Sequence, residues 1–191
     1  MKTSMKTFRG IAKDMKNLNK QSFFQKIENL FKEHAGTMLL YAQSLLKAEM
    51  ASAEDVVQEV FLELLSISKL PDKPKNYLLR ATRNRAFNQK RGLKLRTLEN
   101  LDETKASLLN RTLYFSHPIE REEERERLSL AMQAMPDEQR EVVILKIWGE
   151  MTFSEIAQMT GIPANTAASR YRYALEHLEF AMNKYFVGEE K

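Results

Sequence analysis

The sequence has no cysteine, which removes disulfides, thiolate metal sites and thiol redox sensing from consideration. Glycine and proline are scarce, at six and five residues, and nowhere does an alternating apolar–polar run bounded by turn residues suggest a strand. No apolar run approaches the ~18 residues of a membrane span, and the Lys-rich start lacks the apolar stretch of a signal peptide. A soluble, cytoplasmic chain without membrane insertion is expected. His34, His117 and His177 are scattered without metal-ligand spacing, and neither a glycine-rich phosphate loop nor a nucleophile motif occurs. The sequence therefore offers no catalytic residue, no metal site and no cofactor site, and no enzymatic activity is expected.

What the sequence does have is helix-forming composition. Hydrophobic residues make up 43% of 191 positions, and long runs of Leu, Lys, Glu, Arg, Ala and Met predict an all-α protein of one or two small domains. Net charge is only +4, but its distribution is uneven. Between Lys73 and Arg96 stand nine bases and no acid; between Thr97 and Glu124, seven acids face three bases. A base-only block is an electrostatic footprint for phosphate.

Residues 1–19 read as a flexible basic tail. An apolar stripe from Phe24 through Ile27, Phe31, Met38, Tyr41 and Leu46 predicts a helix over Gln21–Lys47 with a possible break near Gly36. Ser52 with Asp55 suggests a capping box that opens a second helix through Leu65. Its apolar stripe is Val56, Val57, Val60, Phe61, Leu64 and Leu65; Asp55, Gln58, Glu59, Leu62 and Glu63 occupy the other face. Pro71 and Pro74 bracket a loop over Ser66–Asn76. A third helix, Tyr77 to about Arg91, carries most of the basic block. Residues 93–118 lack periodicity and read as a linker, a length unusual inside one compact domain. The expected division is 20–92 and 119–188.

The last part of the chain reads as a helix-turn-helix. Pro136 suits a first helical turn, with Asp137, Glu138 and Glu141 near the positive end of the dipole. Apolar Val142, Val143, Leu145, Ile147 and Trp148 follow until Gly149 stops the helix. Thr152 and Glu155 form a capping box for a short helix, Phe153–Met159. Gly161 suits a turn of positive φ, and Pro163 opens a longer helix with apolar or small residues at Ala167, Tyr171, Ala174, Leu175 and Leu178. A short helix, a Gly turn and a half-exposed longer helix is the arrangement that presents a recognition helix to a major groove.

AEDVVQEVFLELL followed by YLLRATRNRAFNQKR resembles the first conserved domain of bacterial RNA polymerase sigma factors of the small, two-domain extracytoplasmic-function (ECF) class. MPDEQREVVILKIWGEMTFSEIAQMTGIPANTAASRYRYALEHL resembles the second. The resemblance implies a promoter-specificity subunit that binds core polymerase, melts promoter DNA and is held in check by an anti-sigma factor. By the same resemblance, the chain is expected to be nucleoid-associated when polymerase-bound. Asp55, Gln58, Glu59 and Phe61 match the helix that docks on the β′ clamp helices; Leu62 shares its exposed face, and Phe61 reads as core. The resemblance assigns minus-ten recognition to the loop before Tyr77 and the helix after it. Lys75, Asn76, Arg80, Arg83, Asn84, Arg85, Asn88 and Arg91 are the candidate residues there, and Tyr77 stands where the family usually has tryptophan. In the second domain it implies docking on the β flap. It also implies minus-thirty-five recognition by Asn165, Thr166, Ser169, Arg170 and Arg172, with Arg170 alternatively bracing the turn. Ala168 and Tyr173 depart from the lysine and arginine common in the family, which leaves the recognition helix poor in charge. The acidic linker is either a nucleic-acid mimic or a tether. Two other readings leave more unexplained: a sigma-like decoy that binds an antagonist and no DNA, and an ordinary helix-turn-helix regulator.

Overall fold

The computed structural model describes residues 18–46, 50–97 and 122–186. Among these the chain is wholly helical, with seven helices in order: α1 (Leu18–Leu46), α2 (Met50–Ser66), α3 (Pro74–Thr97), α4 (Glu122–Ala134), α5 (Asp137–Ile147), α6 (Phe153–Thr160) and α7 (Ala164–Phe186). The first seventeen residues, most of the expected linker and the expected start of the second domain at Ile119 lie outside the described residues.

α1 is the centre of the molecule. It packs against α2 and α3 on one side and against α5 on the other. From Thr37 to Ser44 every residue is buried, the signature of a helix surrounded by partners rather than one lying on a surface. This explains why the expected break at Gly36 does not occur. Glycine costs a helix interior about 1 kcal/mol, whereas a fully buried Leu or Met side chain such as Met38 or Leu40 contributes ~1.5–3 kcal/mol. The helix also begins at Leu18, inside the expected basic tail.

α2 follows the sequence pattern closely. Val56, Val57, Val60, Phe61 and Leu64 are buried, while Asp55, Gln58, Glu59, Leu62 and Glu63 are all exposed. Phe61 stacks edge-on against Phe31, ring centroids 4.9 Å apart. The expected capping box is not formed: α2 starts at Met50, so Ser52 lies within its first turn. α3 starts at Pro74, three residues before the expected Tyr77, because proline suits a first turn, where no backbone donor is needed. It runs to Thr97, into the expected linker.

In the C-terminal half Pro136 is the N-cap of α5 rather than a first-turn residue. Arg140, only 4% exposed, joins the ends of α4 and α5. Its guanidinium donates to the carbonyls of Met132 (3.1 Å), Gln133 (3.1 Å) and Met135 (3.3 Å) and pairs with Asp137. These are carbonyls left over where α4 ends.

The α5–α6 turn uses its residues in an unexpected way. Gly149 does not supply the positive φ; Glu150 does, at 50°. Gly149 is required for space, since a Cβ there would sit 2.6 Å from the Leu145 carbonyl oxygen. α6 opens with the expected capping box and ends at Gly161, φ 78°. Of the expected stripe on α7, Ala167 and Ala174 are buried, whereas Leu175 is exposed.

The buried side chains form one continuous cluster that runs from Ile27 in α1 to Ala174 in α7. The N-terminal helices α1–α3 and the C-terminal helices α4–α7 thus share a hydrophobic interior, with α1 against α5 as the join.

Candidate functional site

α2 and α3 lie side by side, and their outer faces enclose two adjoining clefts. One, of about 320 Å³, is lined by Glu63, Tyr77, Arg80, Asn84, Arg85 and Asn88. The other, of about 440 Å³, is lined by Asp55, Gln58, Glu59, Leu62, Arg85 and Asn88. The expected docking residues of α2 therefore border one cleft, and four of the eight expected minus-ten residues border the other. Arg85 and Asn88 belong to both.

Arg85 ties the two together. Its terminal nitrogens donate to Glu59 and Glu63, each at 3.1 Å. Tyr77 is half-buried and donates its hydroxyl to Glu63 at 3.2 Å. Partial burial first, and then the Glu63 charge, raise its pKa above the ordinary tyrosine value. The first cleft thus presents an aromatic ring, an exposed amide at Asn84 and an exposed guanidinium at Arg80. That combination suits an unpaired base, which needs a stacking surface and edge donors.

The basic block is not one surface. Arg80 and Arg91 are exposed, and Arg91 donates to Asn88 at 2.6 Å. Lys90 turns back to the Leu45 carbonyl at the end of α1, 3.4 Å away. Arg83 points into the join between the two halves. There its Nε meets Glu141 Oε1 at 2.8 Å, and the same oxygen accepts from Tyr41 at 2.7 Å. Burial and the neighbouring Glu141 charge push the Tyr41 pKa up. Desolvation opposes the charge on Arg83, but the hydrogen bond and charge of Glu141 outweigh it and hold the guanidinium above its usual pKa. The side chain of Arg83 also stacks over Phe87, 4.6 Å from the ring centre.

The start of α3 is likewise engaged. Lys75 pairs with Glu150 at 3.0 Å; Asn76 donates to Glu155 Oε1 at 2.9 Å, and Lys73 pairs with the same oxygen at 3.0 Å. Glu155 is also the acidic member of the α6 capping box, through its other oxygen: Oε2 accepts from the Thr152 backbone N–H and hydroxyl, both at 3.0 Å. Foremost the Thr152 N–H, then Lys73, Asn76 and the Thr152 hydroxyl, lower its pKa to about 2. Sequence spacing identified the capping box, but no signal within α6 indicated a partner near residue 75.

At the start of α7, Asn165 and Arg172 are exposed, while Thr166, Ser169 and Arg170 are half-buried. Ser169 donates to the Thr166 carbonyl at 3.0 Å. Arg172 lies beside Glu176 (3.9 Å) and over the Tyr173 ring (5.0 Å). Phe153 of α6 packs on Tyr171 of α7, centroids 5.7 Å apart, which fixes the first helix of the motif against the second.

Comparison with known proteins follows this division. The family model described as Sigma-70 region 2 matches residues 30–96, and the one described as Sigma-70, region 4 matches residues 125–178. A curated relative, the ECF RNA polymerase sigma factor RpoE of Cereibacter sphaeroides, is 36% identical over 64 residues. That match takes in 34% of this chain and 35% of the relative, so the chain spans about a third of the relative's length. Among solved structures, the sigma factor RpoE from Bartonella quintana, crystallised in complex with the anti-sigma factor NepR, superposes with a TM-score of 0.61 at 18% identity. The superposition covers 82% of this chain and 95% of that one, a likeness of fold.

Proposed function

We propose, since the chain belongs to the sigma-70 family and within it to the ECF class, that it is a specificity subunit which directs RNA polymerase core to promoters and opens them. The observation that carries this reading is the pair of adjoining clefts on α2 and α3: an acidic and amide face on one side, and a base-sized recess with an aromatic wall on the other.

Asp55, Gln58, Glu59 and Leu62 form the face offered to the β′ clamp helices. Their carboxylates and amide suit a basic partner, and exposed Leu62 supplies the apolar contact. Arg80, Asn84 and Asn88 take the unpaired minus-ten bases, with Lys75 and Asn76 reaching the same strand from the start of α3. Melting is favoured when opened bases bind better than paired ones, so stacking and edge contacts in the recess offset the unstacking cost. Asn165 and Arg172 at the exposed start of α7 contact the minus-thirty-five duplex, and the C-terminal helices dock on the β flap. Nucleotide chemistry stays with the polymerase; this chain serves as a non-catalytic subunit, associated with the nucleoid while bound to polymerase.

In this reading 20–92 serves the polymerase and the minus-ten element, 119–188 the minus-thirty-five element, and 93–118 joins them, although α3 carries on through the first five residues of that joining segment. By its likeness to a sigma factor crystallised with an antagonist, the chain is also a target for an anti-sigma factor.

In vitro transcription with purified core polymerase and a library of genomic promoters tests the proposal. Run-off products that require this chain, and that share two spaced sequence elements, are the expected result. No chain-dependent product, together with no binding to core polymerase, overturns it.

A further inference from the structure

The two edges of α3 border different clefts. Tyr77, Arg80 and Asn84 line only the smaller one, Gln89 lines only the larger, and Arg85 and Asn88 stand between them. Arg85 and Gln89 are four residues apart, so they lie one above the other on the same side of the helix. That side closes the larger cleft against Asp55, Gln58, Glu59 and Leu62 of α2.

The polar groups of the larger cleft are mostly acceptors. The Arg85 fork is already spent: Nη1 donates to Glu59 Oε2 and Nη2 to Glu63 Oε2, each at 3.1 Å. The side-chain oxygen of Asn88 accepts from Arg91 at 2.6 Å. Asp55, Gln58 and Gln89 hold no side-chain hydrogen bond among the described residues, and Glu59 keeps its second oxygen. Glu59 and Glu63 together more than neutralise Arg85, and Asp55 adds a further negative charge. A phosphate backbone is repelled by such a rim, whereas a cation is attracted. A guanidinium suits it best, because its several donors can reach several acceptors while its stem lies along exposed Leu62.

We propose that this cleft is a socket for a cationic side chain carried by the docking helix of core polymerase, and that Gln89 forms part of its wall. α3 then serves the polymerase along one edge and the opened strand along the other. The inference rests on the docking reading of α2 and extends it to a second helix. Arg85 is a positioning residue in this socket: by bridging Glu59 and Glu63 it ties the edge of α3 to α2.

Charge at position 89 tests the socket in the full chain. Gln89 is half-buried on the side of α3, and Glu, Lys and Gln have similar helix propensities, so Gln89→Glu and Gln89→Lys differ chiefly in sign. Each variant is titrated with purified core polymerase and, separately, with a single-stranded minus-ten oligonucleotide. Both titrations are run near physiological salt, where charge acts over about 8 Å.

Gln89→Glu should tighten polymerase binding about threefold and steepen its salt dependence, as one added surface pair does. Gln89→Lys should weaken it about tenfold through like-charge contact. Oligonucleotide affinity should move less than about twofold in either variant, because the opened strand uses the other edge. Unfolding cannot mimic a gain in affinity, and unchanged thermal melting of Gln89→Lys shows that its loss is one of contact. Unchanged polymerase affinity in both variants, in a chain whose binding is still lost with Asp55→Ala and Glu59→Ala together, overturns the socket and leaves the docking reading standing. The socket is equally overturned if Gln89→Lys tightens and Gln89→Glu weakens oligonucleotide binding while polymerase binding stays constant. If the unaltered chain does not bind core polymerase, the docking reading fails and the socket with it.

Discussion

Tyr41 donates its hydroxyl to Glu141 across 100 residues of sequence, at 2.7 Å. The bond joins the central helix α1 to α5, and Arg83 of α3 completes it from a third direction. Tyr41→Phe removes the donor but keeps the ring, so the cost is that of a charge-assisted hydrogen bond, about 1.5 kcal/mol. Glu141→Leu should cost more, because Arg83 and Tyr41 both lose their partner. Urea denaturation of the two variants should rank them in that order; the reverse order would mean that the triad contributes nothing.

Nothing in the sequence pattern marks Arg140, yet its guanidinium holds three backbone carbonyls and the Asp137 carboxylate. Arg140→Met keeps much of the stem and leaves three carbonyls without a donor. A loss of about 3 kcal/mol is expected, the range for breaking a buried ionic network. Equilibrium unfolding should show it as a lower midpoint with little change in slope. A loss below ~0.5 kcal/mol, ordinary for surface positions, would contradict the role.

The Glu155 carboxylate makes the contact between the two halves acid-sensitive. Its pKa is depressed from 4.5 to about 2, so the folded chain holds fewer protons there than the unfolded chain between those values. The stabilisation is complete above the ordinary carboxylate pKa and is lost as pH falls through about 2. Stability measured down an acid series should fall more steeply in the native chain than in Glu155→Gln. Parallel profiles would remove Glu155 from the account.

Polymerase docking through α2 predicts that Asp55→Ala with Glu59→Ala weakens binding to core polymerase at least tenfold, while stability shifts by less than ~0.5 kcal/mol. Glu59 also holds Arg85, but Glu63 holds it as well, so the cleft keeps its shape. Normal polymerase binding by the double variant would refute the docking assignment.

At the start of α7, Arg172→Ala should weaken minus-thirty-five duplex binding and lower the salt slope by about one. Ala168→Lys should strengthen binding and steepen the slope, as one more phosphate contact releases one more counterion. If neither variant changes affinity or slope, α7 does not read DNA and the decoy reading gains.

The helices themselves were largely legible in the sequence. Periodicity identified the buried and exposed faces of α2 residue by residue, and the Thr152–Glu155 spacing identified the α6 cap. Gly36 and Ser52 misled because tertiary burial and an earlier helix start override local preference. Glu150 was illegible for another reason: the expected glycine sits next to it and is needed for clearance from Leu145 rather than for φ. The candidate surface was legible only as a charge block. Which bases face outward, as Arg80 does, and which turn inward, as Arg83 and Lys90 do, depends on elements 45 to 58 residues away, and no local pattern encodes that.

The two oxygens of Glu155 hold different things: Oε2 starts a helix, and Oε1 grips the opposite half of the molecule. Such a residue is poorly free to drift, since most replacements that loosen the grip also fray the first helix of the helix-turn-helix. The partners carry no such double duty. Lys73 can be exchanged without disturbing α6, so variation among close relatives that changes the strength of this contact should accumulate at position 73 and leave position 155 a Glu or Gln.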